Sequence, residues 1–385
     1  VMLNFDFYNP THIAFGQGRI ADLATLVPAD ARVLILLGGE SARKNGTLDE
    51  VRAALGSRQI SEFNGIEPNP SFETLILAVE QVKKENIDFL LAVGGGSVLD
   101  GTKFVAAATL YDGDPTEILK SFGGKVTKAM PFGSVLTLPA TGSEMNNGGV
   151  ITIKAIGAKL PFLSKHVFPR FSVLDPTKTY TLPQRQLANG VVDAFIHVME
   201  QYLTYPVGGF IQDRFAESLL LTLIEHGPQA VESTDYIARA NLMWTATLAL
   251  NGLIAAGVPS DWGTHMIGHE ITAKYGIDHA RTLAVVLPAM MQIRRVAKHE
   301  KLLQYAKRVW DITEGSDDEI IDAAIAKTRA FFESLGLPTR LSAYDIGEDG
   351  ITAILKQLEE HGMVALGERH EVTLAESRKV LEAAR

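Results

Sequence analysis

Over the first 180 positions the apolar residues come in short unbroken runs. Residues 32–37 read RVLILL and stop at Gly38-Gly39; residues 89–93 read FLLAV and run into Gly94-Gly95-Gly96-Ser97. An apolar run of five or six residues closed by glycine is the pattern of a strand buried on both faces of a parallel sheet. Residues 134–138 form another such run, leading into Pro139-Ala140-Thr141-Gly142-Ser143-Glu144. Between these runs the period becomes helical. Helices are expected over 47–55, over 71–85 with Leu75, Ala78, Val79 and Val82 on one face, and over 98–109. Short strands are expected at 5–8 and 13–15, around the Asn9-Pro10 turn signal. Strands alternating with helices predict a parallel, doubly wound α/β sheet.

From about 181 the strand-like runs stop. Helical periodicity predicts segments over 183–203, 212–226, 236–256, 260–275, 283–298, 299–309, 317–335, 351–360 and 374–384. At 385 residues the chain is longer than one core usually serves. The expected organisation is therefore an α/β domain over 1–180 and an all-helical domain over 181–385.

Composition sets limits more than it points to a function. Hydrophobic residues make up 46% and charged residues 21%, the balance of a soluble globular protein. Net charge is −9 with the cationic residues dispersed, which argues against a nucleic-acid surface and against a polybasic membrane patch. There is no cysteine, so disulfides, thiolate nucleophiles, Cys-ligated zinc and iron–sulfur clusters are excluded together. The opening VMLNFDFYNPTHIAFG lacks the basic-then-apolar layout of a signal peptide, and the apolar stretches are too short or too interrupted to span a bilayer. A cytoplasmic location is the expectation.

Two features carry candidate chemistry. The strand–glycine loop–helix over 89–109 allows close backbone approach and presents a helix N-terminus, which together favour a phosphate; a tight turn without a ligand gives the same pattern. The hydroxyls of Thr137, Thr141 and Ser143 are available to a phosphate, ribose or adenine, or to local turn bonds. Ligands of doubly wound sheets bind beyond the carboxyl ends of the strands, where these loops fall. The second feature is histidine spacing. Asp193 and His197 stand four apart on the helix expected over 183–203, and His265 and His269 have the same relation, with His279 after a turn at Gly276. A lone Asp–His pair is more often a structural contact. Two such groupings in a chain with ten histidines point to one divalent ion, zinc or iron among others.

Taken together, GGGSVLDGTKF, TLPATGSE, NGVVDAFIH and HMIGHE with the downstream GIDHA resemble the iron-containing (group III) alcohol dehydrogenase family. The resemblance runs nearly end to end. It implies a dinucleotide-binding α/β domain, a helical metal-binding domain, and interconversion of small aldehydes and primary alcohols. The family's metal motif falls on Asp193, His197, His265 and His279. His269 matches a histidine near the nicotinamide that is not a ligand, a catalytic candidate as proton relay. Cofactor contacts fall on Gly94, Gly95, Gly96 and Ser97, on Thr137 and Thr141, on Asn69, on the ribose-contacting position Lys159, and on Asp100 at the nicotinamide end. Cofactor choice falls on the loop Gly38, Gly39, Glu40 and Ser41. Small residues and a serine there go with NADP(H), an acidic residue with NAD(H). Ser41, Arg43 and Lys44 favour NADP(H); Glu40 departs from that pattern and keeps NAD(H) as the alternative. A homodimer is likewise implied. The same two-domain plan also serves metal- and NAD-dependent lyases of the dehydroquinate-synthase type, the rival activity.

Overall fold

The computed structural model describes all 385 residues, Val1–Arg385. They form two compact units. The sheet unit comprises Tyr8–Pro183 and Thr234–Thr247; the helical unit comprises Val1–Phe7, Gln184–Ser233 and Leu248–Arg385.

Eight strands lie in the sheet unit: β1 (His12–Phe15), β2 (Arg32–Leu37), β3 (Gln59–Phe63), β4 (Phe89–Gly94), β5 (Phe132–Leu136), β6 (Gly148–Ile153), β7 (Ala158–Leu163) and β8 (Phe171–Leu174). Six make a sheet of order β1-β8-β5-β4-β2-β3 with every neighbour parallel. The RVLILL run is buried on both faces, as its pattern predicts. Val33, Ile35 and Leu37 pack into one core with Val51 and Leu55, while Leu34 and Leu36 pack into another with Leu75, Val79 and Phe104. From β2 the chain moves outward to β3, then returns to place β4 on the other side of β2. That reversal sets the Gly38-Gly39 loop beside the Gly94–Ser97 loop at the carboxyl edge, the place where such sheets take ligands.

The helices are α1 (Leu23–Leu26), α2 (Ser41–Lys44), α3 (Thr47–Leu55), α4 (Phe72–Lys84), α5 (Gly96–Thr109), α6 (Thr116–Lys120), α7 (Gln184–Tyr202), α8 (Phe210–Glu232), α9 (Tyr236–Leu248), α10 (Gly263–Tyr275), α11 (His279–Ile293), α12 (His299–Trp310), α13 (Asp317–Ser334), α14 (Glu348–Glu360) and α15 (Leu374–Ala383). α9 lies within the sheet unit despite its place in the sequence. No helix is long and apolar enough to cross a membrane. In the helical unit Ile267, Ile271, Val286 and Met290 pack with Ile351, Leu358 and Leu381. α7 is buried nearly all round, from Leu187 to Tyr202.

Several elements differ from the sequence expectation. No strand forms over 5–8; Phe5 and Phe7 are exposed, and Leu3 N–H donates to Gly257 O at 2.8 Å instead. The antiparallel pair β6–β7 was not legible, because two glycines open β6 and Pro161 sits inside β7, all residues of low strand preference. The edge strand β3, QISEF, lacks a continuous apolar run. α9 stops at Leu248 rather than 256, before a turn region that includes Gly252 and Gly257 at positive φ. α11 begins at His279, four residues earlier than periodicity indicated.

A carboxylate fixes the loop that carries Asn69. Glu67 Oε2 accepts from Ser71 Oγ at 2.8 Å, Thr74 Oγ1 at 2.7 Å and Lys154 Nζ at 3.0 Å. Burial pushes the Glu67 carboxyl up, but the bonds from Thr74, Lys154 and Ser71 outweigh it and hold the group at about 2. A carboxyl depressed from an ordinary 4.5 adds stability that is fully present above that value and is lost as pH falls toward 2. Glu67→Gln is therefore expected to cost about 1 kcal/mol at pH 7. In urea unfolding the gap from the parent narrows below pH 4; a gap independent of pH would show that the charge is not its source.

Candidate functional site

Three helices of the helical unit bring four side chains to one point. α7 carries Asp193 and His197 one turn apart, α10 carries His265, and α11 opens with His279. One donor atom from each lies within 4.8 Å of the others. Asp193 Oδ1 is 3.2 Å from His279 Nε2, 3.5 Å from His197 Nε2 and 3.9 Å from His265 Nε2. Ligands about 2.1 Å from a tetrahedral ion stand about 3.4 Å apart, so the spacing suits a divalent metal. Asp193 Oδ1 and His265 Nε2 are moreover buried without a hydrogen-bond partner. Buried polar atoms rarely stay unsatisfied, and these two converge where an ion would satisfy both. The set is three-sided in its burial: the side chains of Asp193, His197 and His265 are sealed, and that of His279 is 23% exposed.

The electrostatics match a ligand set. Burial raises the Asp193 carboxyl, but the imidazoles of His197 and His279 outweigh it and hold it well below the usual carboxylate range. Burial pushes His197 down to about 3, despite Asp193, so it stays neutral at pH 7. Burial also lowers His265, but the carboxylates of Asp193 and Glu200 prevail and lift it to about 9. An ionised carboxylate and neutral imidazoles are the forms that bind metals; at His265 a metal would have to displace a proton.

Glu200 was missed in the sequence. It lies on α7 with Asp193 and His197 at the spacing i, i+4, i+7, which puts all three on one face. That spacing was the available signal. Glu200 is 2% exposed, and its Oε2 accepts from His265 N–H at 3.0 Å and pairs with His265 Nδ1 at 3.1 Å. With Nδ1 so engaged, Nε2 is the nitrogen turned to the other ligands. His269, one turn along α10, is 3% exposed and stands outside the set; its ring centroid is 6.2 Å from that of His265 and 5.6 Å from that of His279.

Immediately before α10, Trp262 has φ 66° and ψ 1°, the left-handed conformation. For a residue with a side chain this costs roughly 1–2 kcal/mol. A buried network holds the segment: Asp261 N–H donates to Glu200 O at 2.8 Å, and Asp261 Oδ2 accepts from Lys298 Nζ at 2.7 Å.

In the sheet unit the other expected residues gather at the carboxyl edge. α5 starts at Gly96 with no side chain capping it, so its first N–H groups are left for a ligand. A Cβ on Gly96 would collide with the Thr141 side chain, which explains why only glycine suits this approach. Thr137 N–H donates to Gly94 O at 2.9 Å, and Ser97 Oγ donates to Pro68 O. Lys159 Nζ donates to Asn69 Oδ1 at 3.0 Å, joining two expected cofactor residues 90 positions apart. Asp100 is tied within its own unit: Oδ1 accepts from Ser143 Oγ at 2.7 Å and Oδ2 from Val150 N–H at 3.0 Å. Burial pushes its carboxyl up, against Lys103 and these two bonds. After Gly38 and Gly39, Glu40 and Ser41 begin α2. The Glu40 side chain is 65% exposed with Arg43 Nε 3.8 Å away, while Arg43 also binds Glu62 and Asn64.

An uncapped glycine-opened helix on a parallel sheet, and a buried Asp-His-His-His set on a helical bundle, are the equipment of a metal-dependent, nicotinamide-linked dehydrogenase. The chain belongs to the iron-containing alcohol dehydrogenase family: the family pattern "Iron-containing alcohol dehydrogenase" matches residues 10–176, and "Fe-containing alcohol dehydrogenase family, C-terminal" matches residues 187–377. It is 61% identical to the NADPH-dependent aldehyde reductase YqhD of Escherichia coli strain K12, over 100% of both chains. The fold is similar to the crystal structure of E. coli K-12 YqhD, with a TM-score of 0.99 at 60% identity over 100% of this chain and 99% of that one. It is also similar to NADH-dependent butanol dehydrogenase A of Thermotoga maritima, with a TM-score of 0.95 at 35% identity over 100% and 99%.

Proposed function

We propose that the chain catalyses aldehyde + NADPH + H⁺ ⇌ primary alcohol + NADP⁺ on small aldehydes, with one divalent metal, zinc or iron. The observation that carries this is the convergence of Asp193, His197, His265 and His279 on one point, two of whose atoms have no other partner. The similarity to an NADPH-dependent aldehyde reductase along the whole length supports the cofactor and the substrate class. In this reading residues 1–180 bind the dinucleotide and residues 181–385 bind the metal, in a cytoplasmic enzyme.

When bound, the metal supplies Lewis acidity toward a carbonyl oxygen and the nicotinamide supplies the hydride. The protein's own work is holding and orienting. Asp193, His197, His265 and His279 ligate, and Glu200 fixes the His265 ring. Gly94, Gly95, Gly96 and Ser97 receive the pyrophosphate at the start of α5; Thr137 and Thr141 line the same loop cluster. Asn69 and Lys159 take the ribose, and Asp100 steadies the nicotinamide end. His269 hands on the proton that the product alkoxide needs. His269→Ala should then lower kcat while metal content is kept.

NAD(H) is the second reading, favoured by Glu40, whose charge would repel a 2′-phosphate, and by the engagement of Arg43 with Glu62 and Asn64. Glu40→Gly should raise the NADPH/NADH ratio of kcat/KM on the order of five- to tenfold, since one charge near a phosphate in water is worth about 1 kcal/mol. An unchanged ratio would exclude Glu40 from the discrimination. A homodimer is supported by exposed apolar residues of the helical unit, Met2, Leu3, Phe5 and Phe7 with Phe210 and Ile211, and sedimentation equilibrium tests it.

The deciding experiment is the initial rate of butanal-dependent oxidation of NADPH and of NADH. It is run on protein as purified, after chelator stripping, and after return of zinc or iron. A rate with NADPH that disappears on stripping and returns with metal is expected. A rate that survives complete stripping would overturn the metal role, and no rate under any condition would overturn the function.

A further inference from the structure

Trp262 borders the metal-ligand set, yet neither ligation nor cofactor binding uses it. Its indole centroid lies 5.2 Å from the ring of His265 at 76° and 6.2 Å from the ring of His197 at 62°, edge-on to both. It is half-buried, beside two sealed ligands. Six non-glycine residues have positive φ, and among them only Trp262 has its ring against these histidines.

The surroundings enforce that conformation. Asp261 Oδ1 accepts from Gly263 N–H at 2.9 Å, closing a tight turn across Trp262. A Cβ on Gly263 would stand 2.9 Å from the same oxygen, so the turn excludes a side chain there. Asp261 Oδ2 is held by Lys298 Nζ at 2.7 Å, and that ammonium, 3% exposed, also donates to Leu203 O at 2.7 Å and to both Glu368 oxygens at 3.1 Å. Lys298 thereby ties the turn to the chain just past the end of α7, the helix that bears Asp193, His197 and Glu200. Strained backbone that is over-determined by a buried charged network clusters at ligand sites. What this network holds against the ligand set is a large apolar indole, its plane steeply inclined to the rings of His265 and His197.

We propose that the Trp262 indole is the wall of the substrate subsite and sets its specificity. An unbranched hydrocarbon chain lies flat along the ring, and a branch at the carbon beside the carbonyl collides with it. This rests on the aldehyde-reductase reading above.

The test uses zinc-loaded full-length protein as wild type, Trp262→Gly and Trp262→Phe. Glycine removes the wall and adopts the left-handed backbone without penalty, so the turn is kept. Phenylalanine restores an apolar ring. Two ratios are measured: kcat/KM for butanal over 2-ethylbutanal, and the calorimetric dissociation constants of the unreactive butanamide and 2-ethylbutanamide. A hydrocarbon group in a pocket is worth roughly 10–200-fold in discrimination. Trp262→Gly should move both ratios at least about tenfold toward the branched compound. Trp262→Phe should recover most of the shift, and zinc content should stay at the wild-type value in both. Ratios unchanged in Trp262→Gly would overturn the proposal, as would loss of zinc from that variant, which would make the indole a packing element of the metal set. If wild type reduces neither aldehyde, the proposed function falls, and the amide ratio still decides the role of Trp262.

Discussion

Replacing His265 with alanine is expected to yield a chain that folds, purifies without tightly held metal, and has no aldehyde-dependent oxidation of NADPH above background. The imidazole supplies one of four donor atoms, and its Nε2 is among the buried atoms without another partner. Losing an outer-shell partner of a metal ligand costs about 10–100-fold in affinity, so losing a ligand costs at least the upper end of that range. Stability is affected less, because Glu200 keeps the main-chain N–H of residue 265 as a donor. Metal analysis after dialysis against a chelator, with the rate measured on the same sample, checks both losses. Full activity in a metal-free His265→Ala protein would remove the ligand assignment altogether.

The second large effect belongs to a residue that touches no ion. Glu200→Ala should weaken zinc binding by about 10–100-fold while leaving all four donor side chains in place. Its carboxylate takes both the main-chain N–H and the Nδ1 side of His265, which fixes the ring's orientation and tautomer. Without it the ring turns more freely and Nε2 is presented less often. Glu200→Gln retains a carbonyl acceptor and should recover part of the loss. Competition with a chromophoric chelator gives the affinities, and the visible spectrum of cobalt-substituted protein reports the change in ligand geometry. Affinity unchanged in Glu200→Ala would mean that packing alone orients His265.

How far the site could be foreseen differs residue by residue. Asp193 and His197 share a face because they are four apart on a helix whose apolar period was plain, and the structure has that helix at Gln184–Tyr202. Glu200 completes the same stripe and was within reach of the same spacing. His265 and His269 have identical spacing, so periodicity could not separate them; α10 turns one toward Asp193 and Glu200 and leaves the other outside. His279 came into the set because α11 starts four residues earlier than its apolar pattern shows. In the sheet unit the glycine loop was evident from the FLLAV run that feeds it. The Asn69–Lys159 bond was not, since it depends on a hairpin whose glycines and proline hide it. The pull of Glu62 and Asn64 on Arg43 was equally hidden.

The sequence by itself determined the alternation of buried strands and helices, the change to an all-helical pattern near residue 181, and the facing of Asp193 and His197. Each of these is an unbroken apolar run or a repeat of 3.6 residues, written in neighbours and independent of what the rest of the chain does. Periodicity left open which histidines meet the carboxylate, a choice made before the structure only by the family resemblance; the tertiary structure alone decided what orients them and that Trp262 is held in a left-handed turn beside them. Those depend on side chains tens of residues apart being driven together by burial of the helices that carry them. No local period encodes where a buried donor will find its partner.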